Sequence, residues 1–235
     1  SYSTWLNKDS LLIGSEQTNG GVVLNGPPDQ LGNVEVQLYS MPSKKKTLGT
    51  KTPAFEYLVE GDLRWKIKTQ IQQNSFSFPS KNLPNVPGRY LIKTFGTFAK
   101  GEKLQGTKRI QLVSSGLGNQ DTSPPTIQIA LLNSPDVSRS SKNPQFEISL
   151  NDNVGLMFTN GIAKAEMVLN DTLKIELAEW VNMEVDKAQQ GKIRYTFAGL
   201  KPGAYTLVVN CWDTNNNPGK ASFKFQVGNE ETTGP

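Results

Sequence analysis

"PGRYLIKTF" at 87–95 and "PGAYTLVVN" at 202–210 are two versions of one phrase. Each places Pro-Gly, one free residue, a tyrosine and then an apolar run. The tyrosines, Tyr90 and Tyr205, lie 115 positions apart in a chain of 235 residues. Proline fixes φ at one turn position and glycine accepts positive φ at the next, so each phrase reads as a tight turn that launches a strand. The residues upstream also match. An alternating aromatic run (Phe76-Ser77-Phe78; Tyr195-Thr196-Phe197) is followed by a leucine (Leu83; Leu200), and only then by the turn.

Working outward, short runs of alternating polarity recur, as expected of strands with one face on a core and one in water. In the first half these are Val34, Val36 and Leu38; Leu63, Trp65 and Ile67; Phe76 and Phe78; Leu91-Ile92; and Ile110 to Val113. Lys44-Lys45-Lys46, after Met41-Pro42-Ser43, reads as a loop tip. Between 114 and 126, "SSGLGNQDTSPPT" has few side chains to pack and reads as a linker. The second half starts again with Ile127, Ile129 and Leu131, then Phe146, Ile148 and Leu150. A hairpin follows, 163–169 and 173–177 around Asn170-Asp171, and then Ile193 to Phe197, Tyr205 to Trp212, and Phe223, Phe225 and Val227. The segment 173–185 fits a short helix or a strand.

About seven short strands at regular spacing, with a tyrosine at the start of the sixth, is the pattern of an immunoglobulin-like sandwich. The predicted fold is therefore all-β: two tandem Ig-like β-sandwiches, 1–118 and 124–228, joined by a short Pro/Gly/Ser linker. Tyr90 and Tyr205 are read as structural corner residues.

Composition narrows the chemistry. The sequence holds no histidine and one cysteine, so no internal disulfide forms and Ser-His-Asp or Cys-His machinery is absent. Cys211 shares a predicted inward face with Tyr205, Leu207 and Val209, which is the place of a core residue. The carboxylates do not cluster in sequence, so this chain is not expected to be an enzyme. The net charge is +4, with +7 in residues 1–120 and −3 in 121–235. The basic residues are not interleaved with stacking aromatics, which argues against nucleic-acid binding. No run approaches the ~20 apolar residues of a membrane-spanning helix.

Three Asp/Asn-rich spots stand out: Asp121 in the linker, Asn151-Asp152-Asn153, and Asp213 with Asn215-Asn216-Asn217. The last two each follow a strand. Calcium takes six to eight oxygens from such residues, which makes Asp152, Asn153, Asp213 and Asn215 candidate ligands. Turn chemistry explains the same residues, because Asp and Asn bond their own backbone and tolerate left-handed φ. No other cofactor is expected. Asn170-Asp171-Thr172 is an N-glycosylation sequon. Trp65, Trp180, Trp212 and Tyr39 are the aromatics that a carbohydrate-binding face would use, with Trp65 assigned to the core.

The strings "DTSPPTIQIALLN" (121–133), "LNDNVGLMFTNGIAKAEMVLNDT" (150–172) and "YTLVVNCWDTNNNPGKASFKFQV" (205–227) resemble the Ig-like region that follows the protease domain in gingipain-family sortases of the type IX secretion system. The stretch across 47–80 is similar to the sandwich before it. The resemblance implies a Bacteroidetes-type protein at the outer-membrane surface or outside the cell. Its partners would be a neighbouring domain or proteins of an export or attachment assembly. In that family a Cys–His dyad in a separate domain carries catalysis; nothing here matches it, so no catalytic residue carries over. The resemblance also implies O-glycosylation at Asp-Ser/Thr-aliphatic triplets, which Ser10 and Thr172 match. Two other readings fit the residues: a segment of a tandem Ig-like adhesin, or a carbohydrate-binding sandwich.

Overall fold

A computed structural model of the chain describes residues 2–26, 30–47, 55–116 and 121–228. It divides into two compact units, Ser1–Asn119 and Gln120–Pro235. Among the described residues the regular elements are all strands apart from one short 3-10 turn at Ser80–Asn82. Part of the sequence read as a linker, 117–120, lies outside the described residues, as does 48–54 within the stretch similar to the sortase sandwich.

The first unit contains β1 (Tyr2–Leu6), β2 (Ser10–Ile13), β3 (Thr18–Leu24), β4 (Gly32–Ser40), β5 (Ser43–Lys46), β6 (Glu56–Val59), β7 (Leu63–Ile71), β8 (Ser75–Pro79), β9 (Gly88–Phe98) and β10 (Lys103–Ser114). Its main sheet runs β7-β4-β9-β10-β1-β3-β8, with β2 also paired to β10. β1 pairs in parallel with β10 and antiparallel with β3. The two ends of this path meet. The rings of Trp65 on β7 and Phe78 on β8 have centroids 5.9 Å apart, and the Thr69 hydroxyl donates to the Ser77 carbonyl at 2.9 Å. The sheet therefore rolls over onto itself as a sandwich. Val34, Val36, Leu38, Trp65, Ile67, Ile92 and Leu112 are fully buried within it.

Two features depart from the sequence reading. The three N-terminal strands carry no clear apolar alternation, because the inward positions of β3 are Asn19, Gly21 and Val23. Asn19 donates to the Ser80 hydroxyl at 2.8 Å. A Cβ on Gly21 would lie 2.4 Å from the Phe76 ring, so the ring occupies the space a side chain would fill. Lys44-Lys45-Lys46 form not a loop tip but part of β5, which pairs antiparallel with β6 in a separate ribbon. All four β5 residues are exposed. A strand wet on both faces is held by its backbone ladder and leaves no period-2 signal to read.

The second unit contains β11 (Thr126–Leu131), β12 (Gln145–Asn151), β13 (Leu156–Met157), β14 (Glu166–Leu169), β15 (Leu173–Glu176), β16 (Asn182–Met183), β17 (Gln190–Thr196), β18 (Gly203–Asp213) and β19 (Pro218–Val227). One sheet runs β11-β12-β17-β16. In the other, β18 pairs with β19 on one edge; its opposite edge takes β14 at Leu207–Asn210 and β13 at Trp212–Asp213, with β15 beyond β14. Phe146 sits at the centre of the core. It meets Phe197, Phe223 and Phe225 edge-on, at 6.0, 5.7 and 5.1 Å. Asn170 and Asp171 have φ of 48° and 57°, the left-handed pair that a two-residue hairpin turn requires. The segment 173–185 is not a helix. It makes β15, a turn through Trp180 and β16, because Leu177 is buried in the core and its carbonyl accepts from the amides of both Trp180 and Val181.

The repeated phrase is the same device in both units. The Tyr90 hydroxyl donates to the Val86 carbonyl at 2.9 Å, and the Tyr205 hydroxyl to the Lys201 carbonyl at 2.9 Å. The preceding glycines, Gly88 and Gly203, have φ of 154° and 153°. Each bond closes the corner where the chain leaves one layer for the next.

Phe146→Ala is expected to lower the stability of the second unit by about 3–5 kcal/mol, because it opens a cavity between three aromatic partners. Trp180→Ala, at a half-exposed turn position, is expected to cost about 1 kcal/mol or less. Chemical denaturation followed by circular dichroism checks both; equal losses would contradict the assigned core.

Candidate functional site

The inward stripe of β18 is Leu207, Val209 and Cys211, and its next member is Asp213. The inward stripe of β12 is Phe146, Ile148 and Leu150, and the next residue in phase is Asp152. Two apolar stripes therefore end in carboxylates at one end of the sandwich. Asp213 is 0% and Asp152 8% exposed. The segment that leads into β11 brings Asp121 to the same place. One carboxylate oxygen from each of Asp121, Asp152 and Asp213 lies within 4.8 Å of the other two.

Nearby amides anchor each acid, Asp121 and Asp152 through one oxygen and Asp213 through both. Asp152 Oδ1 accepts the amides of Val154 (2.8 Å) and Gly155 (2.9 Å). Asp213 Oδ1 accepts the amides of Asn215 (2.9 Å) and Asn217 (2.7 Å), and Asn217 Nδ2 donates to Oδ2 at 2.6 Å. Asp121 Oδ1 accepts the Ser123 amide at 3.1 Å and Asn153 Nδ2 at 2.9 Å. The second oxygens of Asp121 and Asp152 are buried and have no hydrogen-bond partner.

Turn chemistry and cluster geometry thus coexist, and the candidate residues divide into two roles. Asp152 and Asp213 point into the cluster. Asn153 and Asn215 sit one and two residues beyond these acids. Both turn their amide nitrogens to Asp121, Asn153 to the side chain and Asn215 to the main-chain carbonyl at 3.3 Å. Asn217 adds a second donor to that carbonyl at 2.9 Å. The asparagines therefore hold Asp121 in place. Asp121 completes the trio from 31 positions before Asp152 (152 − 121), a distance at which sequence spacing gives no signal.

The electrostatics follow from burial. At an effective dielectric of about 20, each pair of charges at this distance repels by on the order of 3 kcal/mol. Burial pushes the Asp213 carboxyl up from 3.8 to about 6. Burial also raises Asp152, against the pull of the Gly155 and Val154 amides. The hydrogen bond from Asn153 lowers Asp121, which keeps its charge.

The other sequence candidates are placed as follows. Cys211 is 1% exposed, and burial, reinforced by the negative charges of Asp152 and Asp213, pushes its thiol up to about 12. Asn170 is committed at both ends: Oδ1 accepts the Thr206 amide at 2.7 Å and Nδ2 donates to the Ala204 carbonyl at 3.3 Å. Thr172 and Ser10 are exposed. Trp65 is buried, Trp212 is half-buried, and Tyr39 lies under the Lys93 ammonium at 4.6 Å. Trp180 is 48% exposed and packs edge-on against Tyr195 at 4.8 Å. The four aromatics do not make one exposed row.

No family model matches the sequence, and no curated protein matches it. Among solved structures, the chain is similar to dimeric latent PorU from Porphyromonas gingivalis, at 18% identity and a TM-score of 0.45 over 100% of this chain and 24% of that one. It is also similar to a tetra-tandem repeat in the extending region of a large adhesion protein (10%, TM-score 0.30, 97% of this chain and 49% of that one) and to a marsupial T cell receptor (11%, TM-score 0.32, 95% and 98%). The chain spans about a quarter of the length of the first. Similarities of this size carry no assignment of activity or partner.

In metal-free buffer, the raised Asp213 holds a proton in the folded chain where the unfolded chain has lost it. Its stabilisation is complete below about pH 3.8 and disappears as pH rises through about 6. The thermal midpoint of the second unit in chelator is therefore expected to fall between pH 4 and 7; a rise across that window contradicts the assignment. Cys211 is expected to resist thiol reagents until the chain is unfolded, and rapid native labelling would contradict its core placement.

Proposed function

We propose that this chain is a non-catalytic structural and interaction region of a bacterial cell-surface or secreted protein, in which two Ig-like sandwiches position a neighbouring domain or dock a protein partner. One observation carries the reading: the only thiol in a sequence without histidine lies in the core of the second unit, with its pKa raised to about 12. The nucleophile and base of a thiol hydrolase are thereby missing. At the finer level the chain serves as the accessory sandwiches of a gingipain-like sortase of the type IX secretion system. Support for this comes from the strings at 121–133, 150–172 and 205–227, which resemble that family. On this reading the protein acts outside the cell or at the outer-membrane surface, and catalysis belongs to a separate domain.

A second reading, a spacer segment of a tandem-repeat adhesin, is favoured by the acidic trio at the point where the chain leads into the second unit.

Peptide mapping of the protein isolated from its source separates the two. The sortase reading expects this sequence to be continuous with a segment carrying cysteine and histidine, and expects Cys211→Ala to leave the parent's activity unchanged. Flanking sequence made only of further sandwiches would replace it with the adhesin reading.

A further inference from the structure

We infer that Asp121, Asp152 and Asp213 form a binding site for one calcium ion that clamps the 121–125 segment onto the second unit. The observations behind this are independent of the function proposed above. Three carboxylates converge within 4.8 Å, and among the described residues no lysine or arginine is paired with them. Asp152 is more than nine-tenths buried, yet its Oδ2 has no hydrogen-bond partner; the Oδ2 of Asp121 is likewise buried and unpartnered. Buried polar atoms are almost always satisfied, so two orphaned oxygens in one acidic cluster mark the place of a missing positive partner.

The donor set selects the ion. With no histidine in the sequence and Cys211 buried in the core, the soft and borderline ligands of zinc are missing. Oxygen donors suit calcium or magnesium. Magnesium demands near-ideal octahedral geometry and gives up its waters reluctantly, whereas calcium accepts several carboxylates in an irregular arrangement.

Position gives the site its consequence. Asp121 is the only ligand outside a strand-end turn, and it is tethered by Asn153, Asn215 and Asn217 from both other ligand segments. Pro125, at the far end of the same segment, packs where a Cβ on Gly219 would lie, 2.7 Å from its carbonyl oxygen. An ion joins the lead-in segment to the β12–β13 and β18–β19 turns.

The test uses the full chain, stripped with chelator and dialysed. Calorimetric titration with calcium chloride is expected to give one site, with a dissociation constant between about 10 µM and 1 mM. At calcium about 100 times that constant, the second unit's thermal midpoint is expected to rise by on the order of 10 °C. Magnesium is expected to give a smaller rise. Terbium, excited through the neighbouring Trp212, is expected to luminesce and to be displaced by calcium. Asp121→Asn and Asp152→Asn are each expected to weaken binding at least tenfold; both keep an oxygen at the same position for their amide partners. Asp136→Asn, at an exposed carboxylate outside the cluster, is expected to leave binding unchanged. Absence of calcium heat together with an unshifted midpoint would overturn the site, as would binding that survives both substitutions. If one variant fails to fold by circular dichroism, the other decides.

Discussion

A tyrosine hydroxyl bonded to a carbonyl four residues back, made once in each unit, sets the phase of the strand that follows. Its net contribution is about 1 kcal/mol, small beside the burial of Phe146 or Trp65. Its weight lies in register. A strand has a side-chain period of two, so fixing the corner residue decides which face of the whole strand turns inward. In the first unit Tyr90 commits Ile92 and Thr94 to the core. In the second, Tyr205 commits Leu207, Val209, Cys211 and finally Asp213. The acidic cluster is thus an outcome of strand phase. Asp213 is buried because it is the next inward position on a strand whose register was set eight residues earlier (213 − 205).

The same logic explains what was legible in the sequence. The second unit's strands were readable because both its sheets pack one face on a single aromatic core and leave the other wet, so alternation survives in β11, β12, β17, β18 and β19. The corner was readable because it is built from a turn, Pro-Gly, and a fixed offset to tyrosine. The strands β1 to β3 were not, because their inward positions include Thr4, Asn19 and Gly21, polar or small residues that meet a neighbour's side chain instead of contributing apolar volume. β5 was missed because neither of its faces is buried.

For the site, sequence identified the turn residues but could not sort them. Asp and Asn both fit a turn and both fit a metal. Which of them points inward depends on strand phase, and which amide faces which carbonyl depends on a segment more than thirty residues away. The structure gives the aspartates the interior and the asparagines the task of holding Asp121.

Native-state hydrogen exchange on the full chain, read by peptide mass spectrometry for Tyr90→Phe and Tyr205→Phe, tests most directly whether each corner governs its own unit. The account predicts that Tyr205→Phe speeds exchange across β11–β19 and leaves β1–β10 unchanged, and that Tyr90→Phe does the reverse. Uniform acceleration along the whole chain from either substitution, or none from both, would contradict it.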